Sequence, residues 1–145
     1  MKKIALYDRN LLDNDEILKL HSERIESIKE GIAKDGNELI GEFYDKCSGH
    51  VPLDERPEYS RLYQLCNSGD VDELYIVTIS RLSRELRTVA QMCREMHEMD
   101  IKVNFVKEKI TSEELLNSQL AKSLGEVFGQ EMGMWFPCLL NMNLL

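Results

Sequence analysis

The chain has 145 residues, 43% of them hydrophobic and 30% charged, with a formal net charge of −8 at pH 7. That length suits one domain with a proper core, and the composition excludes a disordered chain; no apolar run approaches the roughly 20 residues of a membrane-crossing helix. The acidic balance also excludes a protein that grips nucleic acid by bulk charge, so any phosphate contact must be local.

The N-terminus, MKKIALYDRN, turns polar too early for a secretory leader and reads as cytoplasmic. Cys47, Cys66, Cys93 and Cys138 are too widely spaced for a C-x-x-C site, so neither metal, cofactor nor disulfide is expected.

In chain order, Lys3 to Tyr7 is a short β-favouring run that reads as a buried strand. From about Asp13, Leu18, His21, Ile25, Ile28 and Ile32 recur at steps of three and four, one face of a long helix that Gly36 ends. Glu38 to Tyr44 alternates as a half-buried strand, and residues 45 to 57 form a loop containing Gly49, Pro52 and Pro57. Tyr59 to Asn67 is a short helix closed by Gly69, and Glu73 to Ile79 is apolar enough to be a central strand. A second long helix spans about Arg84 to Met99, with Leu86, Val89, Ala90, Cys93 and Met96 or His97 turned inward, and the strand Lys102 to Val106 follows. Thr111 and Glu114 have capping-box spacing, opening a helix with Leu115, Leu116, Leu120 and Leu124 that runs through about residues 111–132. Alternation of strand and helix predicts an α/β fold, a mostly parallel sheet of about four strands flanked by helices. Residues 134–145 carry no charge and are strongly apolar, so they need a covering surface.

Ligands of open α/β sheets bind outside the carboxyl ends of the strands, and arginine recurs there. Tyr7-Asp8-Arg9 leaves the first strand, Asp54-Glu55-Arg56-Pro57 closes the following loop, and Ser80-Arg81-Leu82-Ser83-Arg84 leaves the third strand. A guanidinium binds phosphate oxygens bidentately and never loses its charge, so converging arginines would hold a phosphodiester and stabilise its pentavalent transition state. On their own, Arg81, Arg84 and Arg87 read equally as one solvated basic face. Asp8, Asp13, Asp15 and Glu16 invite a magnesium-site reading, but acidic residues in a first helical turn serve the helix dipole. His21, on the apolar helix face, reads as a packing residue, and His50 has no evident partner.

These segments, in this order over about residues 3 to 130, resemble the catalytic domain of the serine recombinases of the resolvase/invertase family. The family pattern Tyr-x-Arg-Val-Ser corresponds to Tyr7-Asp8-Arg9-Asn10-Leu11; its Ser-Gly loop followed by Asp-Arg-Pro corresponds to Ser48-Gly49 and Asp54-Glu55-Arg56-Pro57; its Ser-Arg-Leu-Ser-Arg stands at residues 80–84. Residues 107–131 resemble the loop and long helix by which such domains dimerise and reach the DNA minor groove. The resemblance implies a resolvase-like domain over residues 1–133, an apolar tail over 134–145 and no separate DNA-binding domain. It further implies that Arg9, Arg56, Arg81 and Arg84 surround the scissile phosphate, with Ser48 and Ser80 in supporting hydrogen bonds. The nucleophile position holds Leu11, which cannot attack phosphorus, and residues 1–21 contain no serine, threonine or cysteine. Tyr7 could attack chemically but reads as packing. The expected protein is thus a recombinase-like domain with impaired catalysis that keeps local DNA affinity. It would form a homodimer through the long C-terminal helix, or a mixed dimer with an intact recombinase. An active strand-exchange enzyme with another nucleophile and a non-DNA interaction domain on the same scaffold remain the alternatives.

Overall fold

The computed structural model describes residues 1–11 and 14–117. The strand β1 (Lys3–Asn10) is followed by helix α1 (Asp15–Lys34), strand β2 (Glu38–Lys46), a single 3-10 turn (Leu53–Glu55) and helix α2 (Pro57–Asn67). Next come β3 (Glu73–Ile76), the one-turn helix α3 (Ile79–Leu82), α4 (Leu86–Glu98), β4 (Lys102–Phe105), β5 (Ile110–Thr111) and α5 (Ser112–Asn117). The sheet order is β2-β1-β3-β4-β5. Its first four strands run parallel, and β5 adds a short antiparallel edge beyond the four expected.

Alternation along β1 divides the core. Ile4 and Leu6 face α1, where Ile25, Ile28 and Ile32 cover them, while Ala5 and Tyr7 face the larger cluster built with α2, α4 and α5. Both faces are therefore buried, which is why this strand reads as an unbroken apolar run. Asn14 caps α1 by accepting from the Ile17 amide, and Asp15 and Glu16 occupy its first turn. At the other end Gly36 adopts φ 77°, its amide donating to the Ala33 carbonyl and that of Asn37 to Ile32, a Schellman closure.

Several expectations shift. Leu18 is exposed, because α1 buries apolar residues only in its C-terminal half. In α4 it is Met96 and not His97 that turns inward, and Leu86 is only partly buried. The third strand stops at Ile76 instead of continuing to Ile79: the Glu108 carboxylate accepts from the Thr78 hydroxyl (2.6 Å) and the Ile79 amide (3.2 Å), bending the chain out of the sheet and into α3. The apolar character of Val77 there reflects packing at a bend. Thr111 and Glu114 form the expected capping pair at the start of α5. The rest of the expected 111–132 helix, Leu120, Leu124, Cys138 and the apolar tail lie outside the described residues. Among the described residues no helix is long and apolar enough to cross a membrane.

Candidate phosphodiester site

The carboxyl ends of β1, β2 and β3 bring three segments together, and Gly49 joins them. Its carbonyl accepts from the Arg84 amide (3.1 Å), the Arg56 Nη2 (3.4 Å) and the Ser83 hydroxyl (3.4 Å). A Cβ on Gly49 would lie 2.7 Å from Arg84 Cγ and 3.2 Å from Arg9 Nη2. The Ser48-Gly49 turn, the Arg9 guanidinium and the Arg84 side chain thus share one small volume.

Arg9 is nearly buried and donates from Nε to the Arg81 carbonyl (2.9 Å), from Nη1 to Cys47 (2.8 Å) and from Nη2 to Ser80 (3.2 Å). It carries positive charge across the gap between the β1 and β3 ends while tying both to the β2 loop. Burial, together with the nearby Arg56 and Arg84 charges, lowers its pKa from the usual guanidinium value. Arg56 is 1% exposed, the largest fully buried side chain among the described residues. Its Nη1 donates to the Tyr7 hydroxyl (3.2 Å) and the Leu82 carbonyl, and its Nε to Val51 (3.1 Å). Arg56 is therefore the post around which the 47–56 loop is wound.

Arg81 and Arg84 differ from these two. The Arg81 guanidinium, partly exposed, pairs with Asp8 (3.2 Å), whose carboxylate is fully buried. His21 Nδ1 stands 3.0 Å from the same Asp8 oxygen without the alignment of a hydrogen bond, and its ring meets Tyr44 edge-on. Burial raises the Asp8 pKa, while the Arg81 charge, the Arg9 amide and His21 act against that rise. Arg84 is exposed, and its guanidinium has no hydrogen-bond or ion-pair partner among the described residues.

Ser48 is half-buried, its hydroxyl accepting from the His50 amide (3.2 Å); Ser80 is exposed and enters the cluster through its carbonyl. Leu11 directly follows β1 and is 56% exposed. Tyr7 is fully buried, donates to Asp45 (2.9 Å) and has its hydroxyl pKa raised by burial, so it is a packing residue as expected. Arg87 is exposed, in the first turn of α4.

Asp45, which organises the site, escaped the sequence reading, and Asp8 was read there only for a magnesium-site or helix-dipole role. Asp45 accepts from the Tyr7 hydroxyl and from the Glu58 (3.0 Å) and Tyr59 (2.9 Å) amides, so one carboxylate caps α2 and positions the phenol that meets Arg56. Asp8 neutralises Arg81 from behind. The only sequence signal for Asp45 was an acidic residue near a strand end, which is too common to single out, whereas Asp8 lies on β1 and not in the first turn of α1, so it pairs with Arg81 and does not serve the helix dipole.

The family model described as resolvase, N terminal domain, matches residues 16–129, most of the chain, and begins after the Tyr7–Leu11 segment. No curated protein matches. The fold is similar to the crystal structure of a resolvase family site-specific recombinase from Streptococcus pneumoniae (16% identity, 99% of both chains, TM-score 0.73). It is also similar to the N-terminal catalytic domain of TP901-1 integrase (20% identity, 98% of this chain and 94% of that one, TM-score 0.65). A third likeness is to the C-terminal catalytic domain of ISC1926 TnpA, an IS607-like serine recombinase (16% identity, 97% and 96%, TM-score 0.62). From the family match and the shared architecture, the chain belongs to the resolvase N-terminal domain family.

Proposed function

We propose that this domain holds a DNA phosphodiester at the carboxyl ends of β1 and β3 and does not cleave it. Arg81 and Arg84 make the outward contacts, Arg9 and Arg56 supply fixed positive charge from behind, and Ser48 and Ser80 add hydrogen bonds. The observation that carries this reading is the Gly49 junction, which draws Arg9, Arg56 and Arg84 together with no acidic side chain among the described residues hydrogen-bonded to any of the three. Like charges gathered in this way are costly unless an anion joins them.

Leu11 stands where family members carry the serine that attacks phosphorus, and a hydrocarbon side chain can neither attack nor leave. The buried, hydrogen-bonded Tyr7 does not supply a substitute. The domain is proposed to comprise residues 1–133 with the tail 134–145 appended, and to dimerise through the helix expected over 111–132, with itself or with an intact recombinase whose activity it would modulate.

The test is direct. Purified full chain incubated with supercoiled DNA and then denatured should yield no covalent protein–DNA adduct, whereas Leu11→Ser restores a hydroxyl at that position and is the variant from which an adduct is sought. An adduct formed by the unaltered chain would overturn the impaired reading. Short-duplex binding at low salt, followed by fluorescence anisotropy, should weaken on Arg84→Ala with a salt dependence reduced by roughly one phosphate contact; an unchanged affinity would remove the phosphodiester site.

A further inference from the structure

On the face of the sheet that carries α2 and α4, a cavity of about 580 Å³ opens between the 3-10 turn and those two helices, with Leu53, Asp54, Tyr59, Tyr63, Gln91 and Glu95 among its lining residues. That volume lies within the range of small-molecule sites. Its wall combines two aromatic rings, Tyr59 and Tyr63, with centroids 6.5 Å apart, and two charged side chains, Asp54 and Glu95, both acidic. Tyr59 is 4% exposed, yet its hydroxyl has no hydrogen-bond partner among the described residues. Buried hydroxyls are normally satisfied, so this enclosed orphan, on a residue of the cavity lining, is an unmet hydrogen bond that a guest's polar atom would satisfy once the wall yields to it. Burial, reinforced by Glu98, pushes the Glu95 pKa up, and the Glu95 charge is in turn felt at the Tyr59 phenol. A cation placed between those two groups would relieve the first and satisfy the second.

We infer that this cavity binds a small organic cation, an amine whose apolar body lies against the Tyr59 and Tyr63 rings and whose ammonium group meets the Glu95 carboxylate and the Tyr59 hydroxyl oxygen. Aromatic faces and a carboxylate together are the recognition chemistry of such cations. This goes beyond the phosphodiester reading, since the ligand has the opposite charge and touches other side chains. The two sites nevertheless share a wall: the Tyr59 ring packs edge-on against Tyr7 at 5.5 Å, and Tyr7 accepts from Arg56.

The experiment is a titration of the isotope-labelled full chain, followed by amide chemical shifts, with three probes of one shape: phenethylammonium, neutral 2-phenylethanol and anionic phenylacetate. Phenethylammonium should shift the Tyr59, Tyr63, Gln91 and Glu95 amides saturably, the alcohol should bind more weakly and phenylacetate should not bind. Glu95→Gln should weaken phenethylammonium by about tenfold, the scale of one lost charge-assisted hydrogen bond. Tyr59→Phe should weaken it too while keeping the ring. Equal responses to all three probes, an effect indifferent to Glu95→Gln, or contacts from residues 134–145 already filling the cavity in the free chain would each overturn the inference. None of these readouts involves DNA, so failure here leaves the phosphodiester reading untouched, and the reverse holds as well.

Discussion

Gly49 acts through the atom it lacks. Because an added Cβ would meet Arg84 Cγ at 2.7 Å and the Arg9 guanidinium from 3.2 Å, Gly49→Ala must displace one arginine or the turn itself. We expect about 1–3 kcal/mol of lost stability in urea unfolding, the usual scale of overpacking a buried site, together with weaker binding of short duplexes. Asp8 sets a second residue-scale test. Burial raises its pKa above the ordinary 3.8, so the folded chain holds that proton more tightly than the unfolded one. The contribution of Asp8 to stability is then greatest below the ordinary value and is lost as pH rises through the raised one. In a pH series of unfolding measurements, wild type minus Asp8→Asn should therefore fall with rising pH across the carboxylate range and then level; a rising difference would mean that Arg81 outweighs burial.

Among the elements, α1 offers the plainest test: removing the Asn14 side-chain oxygen with Asn14→Ala should cost about 1 kcal/mol of stability, read by thermal or denaturant unfolding. Its Asn14 cap was not singled out in the sequence, whereas its acidic first turn and its glycine closure were legible there, because each depends on residues close together in the chain. The alternation along β1 and the period of α1 and α4 were legible for the same reason. The end of β3 was not. What stops that strand is Glu108, thirty residues further on, and an apolar run gives no hint of a carboxylate arriving from elsewhere. The site was legible as a set of arginines after strands, but not their division of labour. Arg56 is spent on the Tyr7, Val51, Leu82 and Gly49 oxygens, whereas Arg84 faces solvent. Only the path of the 47–56 loop decides which arginine becomes a post and which a contact. Arg56→Lys should accordingly destabilise the fold by a few kcal/mol, since an ammonium cannot span those acceptors; denaturant unfolding would measure it.

For the molecule as a whole, a net charge of −8 surrounds a small cationic patch, so association with DNA should be local and easily screened. If the helix expected over 111–132 makes the dimer, replacing Leu120 and Leu124 together with charged residues should convert dimers to monomers in sedimentation equilibrium, and unchanged sedimentation would remove that interface.

The strand order carries a consequence for how the chain is made. β1 leaves the ribosome before the other strands of the sheet yet lies inside it, between β2 and β3, and each of its pairings is parallel. No local hairpin can hold it. Its apolar residues must wait for α1 and β2 on one side and for the whole of α2 and β3 on the other before they are covered, a high contact-order arrangement that folds slowly. The interval during synthesis in which Ile4, Ala5, Leu6 and Tyr7 are translated but unpaired is thus when the chain is most exposed to aggregation and most dependent on chaperones.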